Sequence, residues 1–103
     1  MDKYELFIFI YYWLDNYYKN TTDELIINLL SDMNPFVWKE ECSADPAYYD
    51  EYCLFIKDRI ITIENSFAIA DEYVSLIDYV DVTEAFDNKY SDEWKEGLYS
   101  RGR

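Results

Sequence analysis

Ninety-six residues pass before the first glycine, Gly97, and only Gly102 follows it. Tight hairpins depend on glycine, often paired with Asn or Asp, to reach positive φ. A chain so poor in it has few means of building a sheet from short antiparallel strands. The same scarcity leaves no glycine loop to cradle a phosphate group.

A helical chain is the remaining option, and 103 residues suit one domain. Half of the residues are hydrophobic and a fifth aromatic, enough apolar surface to close a core that an acidic disordered tail could not form. The expected fold class is all-α: a single-domain bundle of four main helices plus one or two short C-terminal helices. That domain covers residues 1–100, with 101–103 as a disordered, solvated basic tail. The tail carries Arg101 and Arg103, which together with Lys95 make this end locally basic.

The spacing predicts a first helix over Asp2–Lys19. Leu6, Ile10, Trp13, Leu14 and Tyr17 share one face, and Phe7, Phe9 and Tyr11 make the opposite side apolar too. A helix apolar on both sides belongs at the centre. Thr21 with Glu24 fits a capping box for a second helix, whose stripe is Leu25, Ile26, Leu29, Leu30 and Met33. Asn34-Pro35 ends it, because the residue before proline avoids the helical region. A loop then runs from Pro35 to about Ala44.

Asp45-Pro46 starts a third helix, expected to reach Ile60: aspartate caps free amides, and proline at the first helical position lacks one. Tyr49, Tyr52 (or Cys53), Ile56 and Ile60 form its inner stripe. Thr62 caps a fourth helix carrying Ile63, Phe67, Ala70, Val74 and Ile77 at intervals of four, three, four and three. Its outer face bears Glu64, Asp71, Glu72 and Asp78 with no positive residue among them. Thr83 and Ser91 cap two short final helices anchored by Phe86, Tyr90, Trp94 and Leu98. On this reading Phe67→Ala or Trp13→Ala would cost ~3–5 kcal/mol.

The chain has no histidine, which excludes imidazole acid–base chemistry, histidine triads and histidine metal ligands. No EF-hand loop and no Cys-x-x-Cys occurs, and Cys42 and Cys53 stand as two isolated thiols whose pairing the sequence leaves open. Carboxylate pairs of the glycosidase kind are uninformative among so many acids. The expectation is a protein that is not an enzyme and takes no cofactor and no metal. The apolar run Leu6–Leu14 covers nine residues, well short of the ~20 a membrane span needs, and no signal peptide is recognisable, so cytoplasmic residence is expected.

Twenty-two acids against nine basic residues give a formal net charge of −13. Such a field repels nucleic acid and anionic membranes and attracts basic proteins. Solubility needs a charge magnitude of only about 2–8, so the surplus suits steering towards a positive surface. The twelve tyrosines fit an interface as well, with Tyr48, Tyr73, Tyr79 and Tyr90 the candidates.

From Thr22 to Tyr52, the run Thr-Asp-Glu-Leu-Ile-Ile-Asn-Leu-Leu-Ser-Asp-Met-Asn-Pro, then Trp38, then Ser43-Ala44-Asp45-Pro46-Ala47, resembles small bacterial immunity proteins. These are encoded beside the toxins of contact-dependent growth inhibition and related polymorphic toxin systems. Tryptophans are common in those relatives where this chain has Tyr49 and Tyr52, and their Glu-Asp is reversed here as Asp50-Glu51. The resemblance implies a cytoplasmic antidote that binds a cognate protein toxin, often a basic nuclease, and neutralises it by occupancy. The docking residues expected from the charge pattern are Asp50, Glu51, Asp58, Asp71, Glu72, Asp78, Tyr79, Asp81, Glu84 and Asp87. A phage-type nucleic-acid mimic that blocks a host DNA-binding protein uses the same charge, and a helical adaptor subunit is the third reading.

Overall fold

Asp2 accepts a hydrogen bond from the Tyr4 amide and so opens helix α1, Lys3–Tyr17. In the computed structural model, which describes residues 1–101, four further helices follow: α2 Glu24–Met33, α3 Pro46–Ile56, α4 Ile63–Ser75 and α5 Ser91–Arg101. Two 3-10 turns, Thr83–Phe86 and Asn88–Tyr90, lead into α5, and no strand occurs among the described residues. The chain is therefore all-α, as its glycine poverty and helical periodicities predict. A radius of gyration of 13.0 Å is that of one folded unit of this length.

Helix α1 is central because it is apolar on two sides. It packs against α2, α3, α4 and the first 3-10 turn, while α4 also packs against α5. Phe7 on one side meets Tyr49 and Tyr52 of α3 and Tyr73 of α4. Phe9, two residues on and so nearly opposite, stands edge-on to Trp94 of α5 with ring centroids 4.6 Å apart. Trp94 in turn touches Trp13, Phe67 and Phe86 and donates its indole N–H to Ser66 Oγ at 2.8 Å. Gly97 lets α5 lie close at this point: a Cβ there would stand 3.0 Å from the Phe9 ring. Among the described residues no helix is long and apolar enough to cross a membrane.

The caps of α3 and α4 follow the sequence. Asp45 accepts from the Ala47 amide ahead of Pro46, and Thr62 forms a reciprocal capping box with Asn65. That of α2 does not: Asp23, not Thr21, is its N-cap, accepting from the Leu25 amide at 2.9 Å. The Thr21 hydroxyl is used one step earlier, accepting from the Asp23 amide, which leaves Glu24 as the first helical residue. Helix α3 stops at Ile56, four residues before the expected end. Ile60 is 84% exposed and Ile61 is buried in its place. The chain has to reverse between Ile56 and Thr62, and the Asn65 side-chain amide holds the exposed turn by donating to the Ile60 carbonyl at 2.8 Å.

Helix α4 likewise ends at Ser75, leaving Ile77 half-buried beyond it. Neither final element is capped as expected. Asp81 accepts from the amide and hydroxyl of Thr83, and Ser91 is the first residue of α5 itself. Leu25 and Tyr17, expected inside, are exposed, and Trp13 is half-buried with its indole N–H on the Ala85 carbonyl. Arg101, expected in a solvated tail, closes α5 with its guanidinium 5.4 Å from the Phe9 ring centroid. Gly102 and Arg103 lie outside the described residues.

The core is unusually rich in phenols. Tyr52 and Tyr73 are almost wholly buried, and burial pushes both hydroxyls well above the ordinary range. Tyr18 is raised by burial and then by its hydrogen bond to Glu84. Folded values above the unfolded ~10 mean that folding favours the neutral form. This contribution to stability is whole below pH ~10 and is lost as pH rises through the folded values. Steep alkaline unfolding is expected, with circular dichroism collapsing together with the rise of tyrosinate absorbance. Tyrosinate forming at pH ~10 with the helical signal intact would contradict it.

Tyr49 is the exception among these hydroxyls. It is buried and has no hydrogen-bond partner; the Cys53 thiol beside it, which adds to the effect of burial on its pKa, does not meet hydrogen-bond geometry. A buried donor left unpaired costs about 1–3 kcal/mol. Tyr49→Phe is therefore expected to be neutral or stabilising, by up to that amount, in urea titrations. Destabilisation would mean that Cys53 serves as a real partner.

Candidate partner-docking surface

Because Asp45 fixes where α3 begins, Tyr48 and Glu51, three residues apart, project to the same side of its first turns. The segment that leaves α4, Leu76 to Tyr79, crosses in front of them. The hydroxyls of Tyr48 and Tyr79 hydrogen-bond to each other across the gap, and the buried Tyr73 hydroxyl donates to the Tyr48 carbonyl at 3.3 Å. Between the two segments lies an open groove of about 290 Å³, lined by Asp45, Ala47, Tyr48, Glu51, Leu76, Ile77, Asp78 and Tyr79. Three of its walls are carboxylates, and none among the described residues is cationic. The Tyr48 hydroxyl is raised, first by burial, then by Tyr79, then by the charges of Asp32 and Asp45.

The acidic surface continues past the groove. A second depression of about 220 Å³ shares Ile77 and Asp78 and adds Asp81 and Thr83. Asp81 is held below the usual carboxyl range by the hydroxyl and amide of Thr83. Beyond it, Glu84 accepts from the Tyr18 hydroxyl at 3.0 Å, and Asp87 caps the second 3-10 turn through the Lys89 amide. Tyr17 feels both Glu84 and Asp87, after its contact with Tyr90 and burial. Of the ten expected docking residues, Glu51, Asp78 and Tyr79 thus line the groove and Asp81 the depression beside it, with Glu84 and Asp87 following in the chain.

The other four line neither depression. Glu72 pairs with Arg59 at 2.8 Å, and that guanidinium also lies over the Phe55 ring. The outer face of α4 is therefore not without a cation, as a reading of α4 alone suggests: the partner comes from the turn before the helix. Asp71 is half-buried, its carboxyl raised by burial and then by Glu72. Asp58 sits in the turn with Arg59, and Asp50 is exposed on α3 but does not line the groove.

Of the tyrosines, Tyr48 and Tyr79 frame the groove. Tyr73 is 3% exposed and belongs to the core. Tyr90 is half-buried, stacked edge-on against Trp13 and Tyr17. Asp45 was legible only as a cap, yet it is also a groove wall. Leu76, 64% exposed, gave no sequence signal because it reads as the end of a helix.

Among the described residues no three carboxylates or thiols converge as a metal cluster would require. No family model, no curated protein and no solved structure matches this chain.

Proposed function

We propose that this chain is an immunity protein, a cytoplasmic antidote that binds a cognate protein toxin with a basic surface and neutralises it by occupancy. It is not an enzyme and needs no cofactor. The observation that carries this reading is the groove between α3 and the segment after α4, walled by Asp45, Glu51 and Asp78 and lined by no cation among the described residues. Lysine or arginine side chains of a nuclease, which otherwise hold substrate phosphates, fit such a surface by charge and by their contact with tyrosine rings. The run that resembles immunity proteins, Thr22 to Tyr52, supplies α2, the loop after it and the groove side of α3.

The open reading frame directly upstream is expected to end in a secreted-toxin domain, and co-expression with that domain tests the proposal. Rescue of growth, with a complex recoverable from the cells, is expected; failure of both would end this reading. One feature favours a nucleic-acid mimic as the second reading: Asp78, Asp81, Glu84 and Asp87 recur every three residues along the chain. A mimic binds several unrelated DNA-binding proteins, whereas an antidote is selective for one.

A further inference from the structure

The loop between α2 and α3 holds large apolar side chains out in water. Phe36, Val37 and Trp38 are 55, 56 and 50% exposed. An apolar run of this size normally folds down onto the nearest hydrophobic surface. Here hydrogen bonds hold the backbone of the loop on both sides of the run. The Asn34 side chain accepts from the Phe36 amide at 2.9 Å, the Ala44 amide donates to the Asn34 carbonyl at 2.8 Å, and the Asp45 amide donates to Asp32 at 2.9 Å. The Trp38 indole N–H is fixed on the Ser43 carbonyl at 3.0 Å, and the Tyr4 hydroxyl donates to the Pro35 carbonyl. Pro35 and Ser43 are buried beneath as the plug of the loop.

The Phe36 ring rests against Tyr12 of α1 at 5.6 Å, and Tyr12 is itself half exposed, so the apolar patch extends onto the helix. Contiguous exposed apolar surface on a single chain commonly marks a binding site. Aromatic side chains already held in position lose little freedom on docking, which is the usual character of an interface hot spot.

Charge decides the occupant. A second copy would bring two bodies of net charge −13 together, and an anionic membrane is repelled in the same way. A basic protein is attracted. The loop leads into Asp45, the residue that both caps α3 and walls the acidic groove, and the Trp38 indole N–H is held on the Ser43 carbonyl two residues before it. We infer that Phe36, Val37 and Trp38 form the apolar anchor of the docking surface, seated in a hydrophobic cleft that the partner carries beside its cationic ground. This rests on the proposed function for the identity of the partner as a basic toxin domain.

The variants Phe36→Ser and Val37→Ser leave every hydrogen bond that fixes the loop in place. Against the purified, catalytically inactivated toxin domain encoded upstream, each is expected to weaken binding on the order of tenfold. The loss should lie in faster dissociation, with the salt dependence unchanged. Glu51→Lys should act in the opposite manner, slowing association and flattening the salt dependence. Unchanged affinity in both serine variants, with Glu51→Lys impaired, would overturn the anchor and leave the antidote reading intact. A wild-type chain that does not bind the domain would remove both. A wild-type dimer in sedimentation that Phe36→Ser converts to monomer would show that a second copy fills the patch, and would overturn the anchor.

Discussion

Trp94→Ala is expected to leave the domain at or beyond the edge of folding. Trp94 is fully buried and is the point where three helices and a 3-10 turn meet, with the rings of Phe9, Trp13, Phe67 and Phe86 all within 5.7 Å of it, centroid to centroid. Truncating a buried tryptophan costs ~3–5 kcal/mol through lost burial and the cavity left behind. The Ser66 hydroxyl also loses the indole N–H it accepts from, although its own bond to the Ile63 carbonyl remains. Total stabilities of small domains are about 5–15 kcal/mol, so in a domain at the low end of that range most of the margin would go. Trp13→Ala should cost less, since Trp13 is only half-buried. Urea titrations of the three proteins would decide, and a Trp94→Ala midpoint close to wild type would mean that the ring cluster collapses onto the gap.

The second large effect is on association rate. Glu51→Lys combined with Asp78→Lys reverses two of the three carboxylates in the groove and is expected to slow capture of a basic toxin domain by roughly 10–10³-fold at low salt. The difference should shrink as salt is raised. Both residues are exposed, so the melting temperature should hold or rise as self-repulsion is relieved. The pair Asp71→Lys and Glu72→Lys is the control. It breaks the Arg59 contact and lies off the groove, so it should slow association far less. Equal slowing by the two pairs would show that only net charge matters and that the groove has no special part.

Much of the fold could be read from local chemistry. Asp45-Pro46 and Thr62 name their helix starts because capping involves only a few neighbouring residues. The double-sided apolar pattern of α1 places it at the centre for the same reason: periodicity states what must be covered. What could not be read depends on where the chain turns in space. Ile60 is in phase with Ile56, but the bend to α4 takes it out of the core and puts Ile61 there. Tyr73 and Tyr79 look equivalent on paper; only packing against Phe7 and Tyr52 separates the core tyrosine from the groove tyrosine. Arg59 reaches Glu72 across a turn, beyond any same-helix pairing rule. The groove likewise joins Glu51 of α3 to Asp78 of the segment after α4, which no linear pattern connects.

Arg59 with Glu72 is the one ion pair among the described residues, and it stands at the surface, where such pairs contribute little. With a net charge of −13 and that single close pair, little of the negative field is offset by direct ion pairing among the described residues. Ordinary salt should already firm the molecule, raising its melting point in the absence of any other protein. A body that brings lysines and arginines to the folded form alone acts as a ligand by mass action, so each partner would be more resistant to heat together than apart.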